Sequence, residues 1–201
     1  GHSAGEYAAI TVAGIISYMD AFKLIKTRGN LMAQAPKGGM AAVIGAAKEE
    51  VLQLCKQSVI KEGVLEPANY NSHDQIVISG DTESIENAIC YAVEKEIKIV
   101  PLNVSGAFHS ELMETSALNY SKHLNDICFN DSSTPVVSNV LAQPEKDRFS
   151  WRTLLYKQLF SPVLWEQSIR YIYEQGVEVF VYIQHSAFGS IYITETSSKK
   201  Q

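Results

Sequence analysis

Residues 40–105 alternate between strand-like and helix-like segments, and this order restricts the fold more than any other feature of the chain. Short β-branched and apolar runs predict strands, whereas apolar residues three and four positions apart predict amphipathic helices. The segments are, in chain order, a strand at 40–45, a helix at 48–57, strands at 64–70 and 75–80, a helix at 81–96 and a strand at 97–105. This is the order of the ferredoxin-like split β-α-β arrangement. We therefore predict a small ferredoxin-like α+β subdomain over residues 39–104.

Helices and strands of a larger unit are predicted on both sides of this small subdomain. They are helices at 4–14, 19–34, 110–127, 151–160 and 164–176, a short strand at 134–140, and a strand at 177–184 that is typical of a buried parallel sheet. The predicted fold class is therefore α/β, with a larger α/β-hydrolase-like parallel-sheet subdomain formed by residues 1–38 and 105–201. No strand precedes the first helix, so we expect the larger sheet to be incomplete at its N-terminus.

The chain begins with Gly-His-Ser-Ala-Gly, in which Ser3 stands between two glycines. In a nucleophile elbow, this pattern places a serine at the apex of a sharp turn that leads into a helix. The flanking glycines are expected because a β-carbon there would clash with the neighbouring strand and helix. The helix N-terminus favours negative charge, and Ala4 would donate its backbone N–H to an oxyanion. The same pattern also occurs by chance in loops of small residues, so a turn without catalytic function stays open.

Composition and charge argue against several classes of function. The 201 residues carry a net charge of −5 and no long basic run, which argues against nucleic acid as a partner. No apolar run approaches the length of a membrane-spanning helix, and no signal peptide opens the chain. The cysteines Cys55, Cys90 and Cys128 are far apart and odd in number. They predict a reducing compartment, here the cytoplasm, without disulfides or a metal site.

A serine hydroxyl needs a general base, and the five histidines of the chain are the first candidates. His109 is the best placed, because it stands where the chain returns from the small subdomain to the larger unit. A histidine near a helix N-terminus, beside the capping residue Ser110, is an equally ordinary interpretation, and both stay open. His73 is predicted at a loop tip and His123 on a polar helix face. No pair of histidines or cysteines has the spacing of a metal site.

Arg28 belongs to the apolar stripe of the helix at 19–34, which we assign to Ala21, Ile25, Gly29 and Met32, with Leu24 beside it. A buried guanidinium is costly unless a counter-ion or hydrogen bonds compensate for the lost water. Arg28 therefore either extends its stem to reach water or presents its fork of N–H donors to a carboxylate. The pattern alone leaves both interpretations open.

Several motifs in a fixed order connect these separate signals. They are Gly1–Glu6, Arg28 within 27–32, and the segments 66–80, 104–110, 134–140 and 157–169. Together they resemble the malonyl-CoA:acyl carrier protein transacylase family, which includes the acyltransferase domains of fatty acid and polyketide synthases. The resemblance covers nearly the whole chain. Members of that family have a substantial segment before the serine, so we expect this chain to be an N-terminally truncated member.

The resemblance implies a role for each residue of the catalytic group. Ser3 matches the nucleophile that carries the acyl group as an ester, and His109 matches the general base. Gln158 matches a residue whose backbone carbonyl orients the histidine. Arg28 matches the arginine that pairs with the free carboxylate of the malonyl group. Ala4 matches one donor of the oxyanion hole, whose other donor lies in the segment before the serine.

The resemblance also implies which residues shape the substrate site. Phe108 resembles the malonyl-selective form of the family, because a bulky ring leaves little room for a branched α-methyl group. Asn71, together with Asn69, matches a loop near the pantetheine entrance. Residues 182–192 stand where the family has a Gly-Pro-Gly turn, so we expect this end of the chain to pack differently.

The activity implied by the resemblance is transfer of malonyl from malonyl-CoA to the phosphopantetheine thiol of an acyl carrier protein, in fatty acid or polyketide biosynthesis. It implies a monomer without a membrane partner, a metal or a cofactor, with the CoA thioester as substrate. One alternative is a catalytically impaired fragment that retains carrier-protein or CoA binding. Another is a general serine hydrolase, against which the inserted subdomain, Arg28 and the lack of an aspartate motif before the histidine all count.

Overall fold

The computed structural model describes residues 1–181 and places a β-rich stretch between two groups of helices. Its elements are, in chain order, α1 (Gly5–Val12), α2 (Tyr18–Ala33), β1 (Gly39–Ile44), α3 (Lys48–Ser58), β2 (Leu65–Ser72), β3 (Gln75–Gly80), α4 (Thr82–Glu94), β4 (Lys98–Pro101), α5 (Glu114–Asn125), β5 (Val136–Val137), β6 (Pro144–Glu145), α6 (Arg148–Gln158) and α7 (Trp165–Glu174). A 3-10 turn at Glu111–Met113 precedes α5. Side-chain caps begin three of the helices: Ser17 accepts the Asp20 N–H at α2, Asp81 accepts the Ser84 N–H at α4, and Asp147 accepts the Phe149 N–H at α6.

Strands β1 to β4 form a single sheet in the order β2-β3-β1-β4, and every neighbouring pair is antiparallel. Helix α3 connects β1 to β2, and α4 connects β3 to β4. This is the topology of the split β-α-β arrangement, so the predicted order of these six elements is confirmed. The register places Ala41 opposite Ile78 and Val43 opposite Ile76, which aligns the apolar side chains of the two central strands.

Both faces of the central strands are buried, which explains why β1 is apolar along its length rather than alternating. Ala41, Val43 and Ile78 pack under α3 and α4 with Leu54 and Ile85. The side chains that point to the opposite face form a smaller cluster, which consists of Met40, Ala42, Ala68 and Val77, with Phe108 packed against it. That second face is therefore covered by the segment that follows β4.

The helices outside the sheet enclose a separate apolar core. Its largest members include Tyr7 of α1, Leu24 of α2, Tyr120 of α5 and Trp151 of α6, each exposed by 1% or less. The Tyr120 hydroxyl donates to the Tyr7 hydroxyl at 2.8 Å, so this core joins α1 to α5 through a buried polar contact as well. This core therefore holds together the helices at the start of the chain, α1 and α2, and the later helices α5 and α6.

The apolar stripe predicted for α2 is wrong at two positions. Ile25 is 37% exposed and Gly29 is exposed, whereas Leu24 and Arg28 are the buried residues of this helix. Helix α2 packs against α5 along the face that carries Leu24. The burial predicted for Arg28 is confirmed, at 6% exposure.

Strands of the larger unit are shorter than predicted. The strand predicted at 134–140 consists of the two residues of β5, which pair antiparallel with β6. The strand predicted at 177–184 is not formed at 177–181, where Val179 and Val181 are 77% and 83% exposed. A β-branched run becomes a buried strand only beside strands that pair with its backbone, and residues 1–181 place none beside it. The remainder of that prediction and the segment 182–192 lie outside the described residues.

The broad prediction of a mixed α/β protein is confirmed, whereas residues 1–181 do not form the predicted parallel sheet.

The sheet region meets the surrounding chain closely at two places. Val163 donates to the Ala68 carbonyl at 2.9 Å and accepts the Tyr70 N–H at 2.9 Å, which joins β2 to the segment before α7. Gly38 lies so close to the returning chain that an added β-carbon would be 2.7 Å from the Ala107 β-carbon. This crossing brings residues 106–109 beside the first turn of the protein.

Candidate active site

The first turn holds Ser3 in the left-handed region of the backbone, with φ +48°. Residues other than glycine adopt this conformation rarely, and they do so most often where the surrounding structure requires it. The Ser3 carbonyl accepts the Glu6 N–H at 3.0 Å, and helix α1 begins at Gly5. A β-carbon at Gly1 would collide with the Gly5 carbonyl oxygen, whereas one at Gly5 would meet no atom of the described residues outside its own helix. The steric reason given for the two glycines therefore holds for Gly1 only.

His109 lies directly beside this turn, although 106 residues separate it from Ser3. Its Nε2 is 2.8 Å from the Ser3 hydroxyl oxygen, and its Nδ1 is 2.8 Å from the Gln158 carbonyl oxygen. A carbonyl only accepts hydrogen bonds, so Nδ1 carries the proton and Nε2 is free to accept from the serine. His109 also has a positive φ of +59°. Both ends of the contact are thus held by uncommon backbone conformations.

The end of helix α6 holds the imidazole in place. The last carbonyls of a helix lack intrahelical donors, and two of them here accept from His109. Gln158 accepts from the ring, and Leu159 accepts the His109 N–H at 3.1 Å. The ring is 4% exposed, and burial, followed by the charge of Arg28, lowers the pKa of His109 to about 3. The imidazole is therefore neutral near pH 7, as a general base must be.

Arg28 reaches the same hydroxyl from helix α2. Its Nη2 donates to the Ser3 Oγ at 2.9 Å and to the Gln158 Oε1 at 3.3 Å. With 6% exposure the guanidinium does not extend to water, and within the described residues no Asp or Glu forms an ion pair with it. Its Nε has no hydrogen-bond partner in residues 1–181. A buried cation with unused donors beside a serine hydroxyl suits an incoming anion.

Sequence reasoning assigned Gln158 only its backbone carbonyl, but the buried side chain takes part as well. Its Oε1 accepts from Arg28, while its Nε2 donates to the Ser3 carbonyl at 3.2 Å and to the Glu6 carboxylate. One residue therefore contacts the turn, the histidine and the arginine. These contacts fix the relative positions of the three groups.

Glu6 was missed as a site residue, because a glutamate in the first turn of a helix is ordinarily solvated. It is 0% exposed, and its Oε1 accepts the Asn139 N–H at 2.7 Å. Burial raises the pKa of Glu6 to about 7, and hydrogen bonds from Asn139 and Gln158 oppose the rise. Its spacing of four residues from the buried Ile10 was a signal in the sequence that Glu6 lies on the buried face of α1.

Asn139 was also missed as a site residue. It follows β5, is 1% exposed, and accepts the Ser3 N–H through Oδ1 at 2.6 Å. Its Nδ2 donates to the Gly1 carbonyl at 2.8 Å. The asparagine therefore spans the first turn on both sides of its apex. No local pattern in 134–140 distinguishes this side chain from an ordinary loop asparagine.

The other predicted site residues lie at different distances from this centre. Ala4 is exposed, and its N–H donates to no acceptor within residues 1–181. Asn71 Oδ1 accepts a hydrogen bond from Nε2 of His2, the residue before Ser3, at 3.0 Å. Phe108 packs on the sheet face formed by Met40 and its neighbours. The structure thus brings together Ser3, His109, Arg28 and Gln158. Asn71 adjoins this group through His2, and Phe108 precedes His109 in the chain.

Two further observations concern membrane-spanning helices and metal ligands within residues 1–181. Among the helices of residues 1–181, none combines the length and apolar character that crossing a bilayer requires. No group of three His, Cys, Asp or Glu side chains in the same part of the chain is arranged to hold a metal ion.

Residues 1–200 match the family model of the acyl transferase domain. The chain belongs to the acyl transferase domain family. It is 39% identical, over 187 residues, to the malonyl CoA-acyl carrier protein transacylase of Staphylococcus aureus strain COL. That alignment covers 91% of this chain and 61% of the relative. The chain thus spans about three fifths of the length of this relative.

Solved acyl transferase structures share the fold. The malonyl CoA-acyl carrier protein transacylase of Coxiella burnetii superposes with a TM-score of 0.85 and 35% identity, covering 89% of this chain and 57% of that one. A malonyl-transacylase in complex with its type II PKS acyl-carrier protein gives a TM-score of 0.84 and 36% identity, covering 89% of this chain and 59% of that one. The described fold is therefore that of these acyl transferase structures over most of the chain.

Proposed function

We propose that the protein transfers a malonyl group from malonyl-CoA, through an ester on Ser3, to the phosphopantetheine thiol of an acyl carrier protein. The observation that carries the proposal is the meeting of His109 Nε2 and Arg28 Nη2 on one serine oxygen, at 2.8 and 2.9 Å. A neutral base can activate this hydroxyl, and a buried cation beside it can hold an acyl group that ends in a carboxylate. The similar transacylases, one of them solved with a carrier protein, support the choice of substrates.

The first half of the reaction forms the ester. His109 Nε2 takes the hydroxyl proton as Ser3 Oγ bonds to the thioester carbon, and the charge moves to the carbonyl oxygen. The Gln158 carbonyl, which accepts from Nδ1, stabilises the imidazolium formed in this step. When the carbon–sulfur bond breaks, Nε2–H returns the proton to the sulfur of CoA. The acyl-Ser3 ester remains, and His109 is neutral again.

The second half repeats these steps with a different thiol. The phosphopantetheine sulfur bonds to the ester carbon as its proton passes to His109 Nε2. The bond between carbon and Ser3 Oγ then breaks, and Nε2–H returns the proton to the serine. The site accepts both thiols because the same base and the same oxyanion donor serve each half-reaction. Ala4 is proposed as that donor, since its N–H follows the serine and has no acceptor in residues 1–181.

Arg28 is proposed to bind the free carboxylate of the malonyl group. Its Nη2 already contacts Ser3, so a carboxylate on an acyl chain attached to Ser3 Oγ would lie within reach of the remaining donors. Binding fixes the acyl group between the two half-reactions and thereby disfavours random attack by water. Asn71 and Phe108 are proposed to line the approach to this site, Asn71 through its contact with His2.

The two-subdomain organisation is proposed together with the function. Residues 39–104 would form the ferredoxin-like subdomain, and residues 1–38 with 105–201 the larger α/β-hydrolase-like one. Separate apolar cores under the sheet and among the outer helices support this division. The turn from Ser3 into α1 supports the assignment of the larger one, because a serine at such a turn is typical of α/β-hydrolases. The cytoplasmic location predicted from the sequence remains a prediction.

Intact-protein mass spectrometry after incubation with malonyl-CoA tests the proposal. We expect one malonyl adduct on the unmodified protein and none on Ser3→Ala. Ser121→Ala is the matched control, because Ser121 lies on α5 and its hydroxyl donates to the Leu118 carbonyl of the same helix. Transfer of the adduct to an added acyl carrier protein completes the test. An adduct on Ser3→Ala, or none on the folded unmodified protein, would contradict the proposal.

A further inference from the structure

Glu6 is the one carboxylate of the site among the described residues, and each of its oxygens accepts a hydrogen bond. Oε1 accepts the Asn139 N–H, and Oε2 accepts from Gln158 Nε2. The side chain is 0% exposed, so no water replaces these partners. A carboxylate that only accepts is satisfied in the ionised form. Glu6 thus presents a fixed acceptor to the carboxamide that links the turn to Arg28.

The orientation of the Gln158 carboxamide follows from its partners. Arg28 only donates, so the atom that faces it must be the carbonyl oxygen Oε1. Glu6 and the Ser3 carbonyl only accept, so the atom that faces them must be the amide nitrogen Nε2. If the amide turned over, its NH₂ would face the guanidinium. The acceptor on Glu6 therefore determines which end of Gln158 is offered to Arg28.

We infer that Glu6 is a positioning residue for malonyl recognition, because its carboxylate holds the Gln158 carboxamide in the orientation that fixes Arg28 beside Ser3. This inference rests on the proposed function. It assigns Glu6 no contact with substrate and no proton transfer. Its effect passes through Gln158 to the arginine, and does not pass through the serine–histidine contact.

Substitution of Glu6 by glutamine tests this path without a change of shape. The introduced carboxamide would offer one acceptor where two donors converge, so one donor always meets its NH₂. If Gln158 turns over to relieve this, its own NH₂ meets the guanidinium and the contact with Arg28 is lost. The bonds from His109 to Ser3 and to the Gln158 backbone carbonyl do not involve either side-chain amide. Glu6→Gln should therefore reduce transfer of an acyl group without a carboxylate less than it reduces malonyl transfer.

The measurement is kcat/KM for malonyl-CoA and for acetyl-CoA in the unmodified protein, Glu6→Gln and Glu83→Gln. Glu83 is the matched control, because it is an exposed acid in the first turn of α4. We expect Glu6→Gln to lower the malonyl-to-acetyl ratio by about tenfold, the equivalent of one hydrogen bond to a charged group. Glu83→Gln should leave the ratio unchanged. Equal losses for both substrates in Glu6→Gln, the sign of a merely structural role, would overturn the inference.

A double-mutant cycle tests whether Glu6 acts through Gln158. Gln158→Leu removes the carboxamide and keeps the backbone carbonyl that accepts from His109. The double variant with Glu6→Gln should have the same malonyl-to-acetyl ratio as Gln158→Leu alone. Additive effects on the ratio would mean that Glu6 acts by another path and would overturn the inference.

A crystal structure of Glu6→Gln decides the inference independently of activity. We expect Arg28 Nη2 to move out of hydrogen-bond distance of the Gln158 side chain, from the present 3.3 Å. If Arg28 and Gln158 keep their contact, the inference is wrong whether or not the protein transfers acyl groups. A lack of acyl adduct on the unmodified protein would instead count against the proposed function, and this structure would still decide the role of Glu6.

Discussion

Replacing Arg28 by alanine should reduce the preference of the protein for malonyl over acetyl groups. Both hydrogen bonds that Arg28 makes in the structure use Nη2, and Nε has no partner within residues 1–181. A carboxylate can therefore pair side-on with the guanidinium, accepting from Nε and from the N–H of Nη2 on the same edge, while Nη2 releases one of its present acceptors. Hydrogen bonds to charged groups contribute about 1.5 kcal/mol or more each, so two amount to about 3 kcal/mol. That corresponds to a roughly 150-fold loss in kcat/KM for malonyl-CoA.

The ratio of malonyl to acetyl kcat/KM is the appropriate assay, since Arg28 also touches the serine oxygen. Loss of that contact should affect both substrates equally and cancel in the ratio. Alanine also leaves the buried Glu6 without its nearby cation, so we expect a lower melting temperature. Arg28→Lys keeps the charge but not the fork, and should retain only part of the preference. Arg170→Ala, which removes an exposed arginine paired with Glu166, is the matched control and should leave the ratio unchanged.

A malonyl-to-acetyl ratio that stays within about threefold of the unmodified value in a folded Arg28→Ala protein would refute this reasoning. It would mean that the carboxylate is recognised elsewhere. A parallel fall for both substrates would show that Arg28 acts on the serine and not on the substrate. The experiment thus separates the two contacts that the structure gives to one side chain.

Three further predictions concern the turn and the base. Asn139→Ala removes the side-chain hydrogen bonds to Ser3 and Gly1, so it should lower the free energy of unfolding, measured by urea denaturation, by about 2 kcal/mol. The control Asn119→Ala, on the exposed face of α5, should change this free energy by about 0.5 kcal/mol or less. Equal changes for the two variants would contradict the role of Asn139. The pKa of His109 is lowered from 6.5 to about 3, so the base stays neutral well below pH 6.5. The test uses Glu6→Gln, because this variant lacks the other titrating group of the site. Its rate of acetyl transfer should stay constant from about pH 8 to about pH 5. An acid limb near pH 6.5 would contradict it. Between pH 6.5 and about pH 3 the unfolded chain protonates His109 and the folded protein does not. His109 therefore contributes stability above pH 6.5, and this contribution is lost as the pH falls toward 3.

The order of elements in the small sheet was predictable because it depends on local periodicity. Apolar runs at 40–45 and 75–80 and the amphipathic helices beside them appear in the structure with boundaries shifted by one or two residues. Where the outcome depended on distant partners, the prediction failed. The strand at 177–184 is not formed over 177–181, and the buried face of α2 is turned from Ile25 to Leu24 by its packing against α5.

The site residues also fall into those that the sequence predicted and those that depended on distant contacts. Ser3, His109, Arg28 and Gln158 were predicted from motifs, and the structure brings them together, while their catalytic roles remain proposals. Glu6 and Asn139 were not predicted as site residues, although Glu6 belongs to the motif that opens the chain and Asn139 to the motif at 134–140. Their hydrogen bonds join residues 133 to 152 positions apart.

The amino-acid sequence by itself determined the order of strands and helices in residues 39–104, although β4 ends at Pro101, and it determined the chemical groups available for reaction, because periodicity and side-chain chemistry are local properties. Only the tertiary structure decided that Glu6 is buried and that a single Gln158 contacts Ser3, His109 and Arg28. Buried polar groups form hydrogen bonds with the partners that folding places beside them, and spacing in the sequence does not identify those partners.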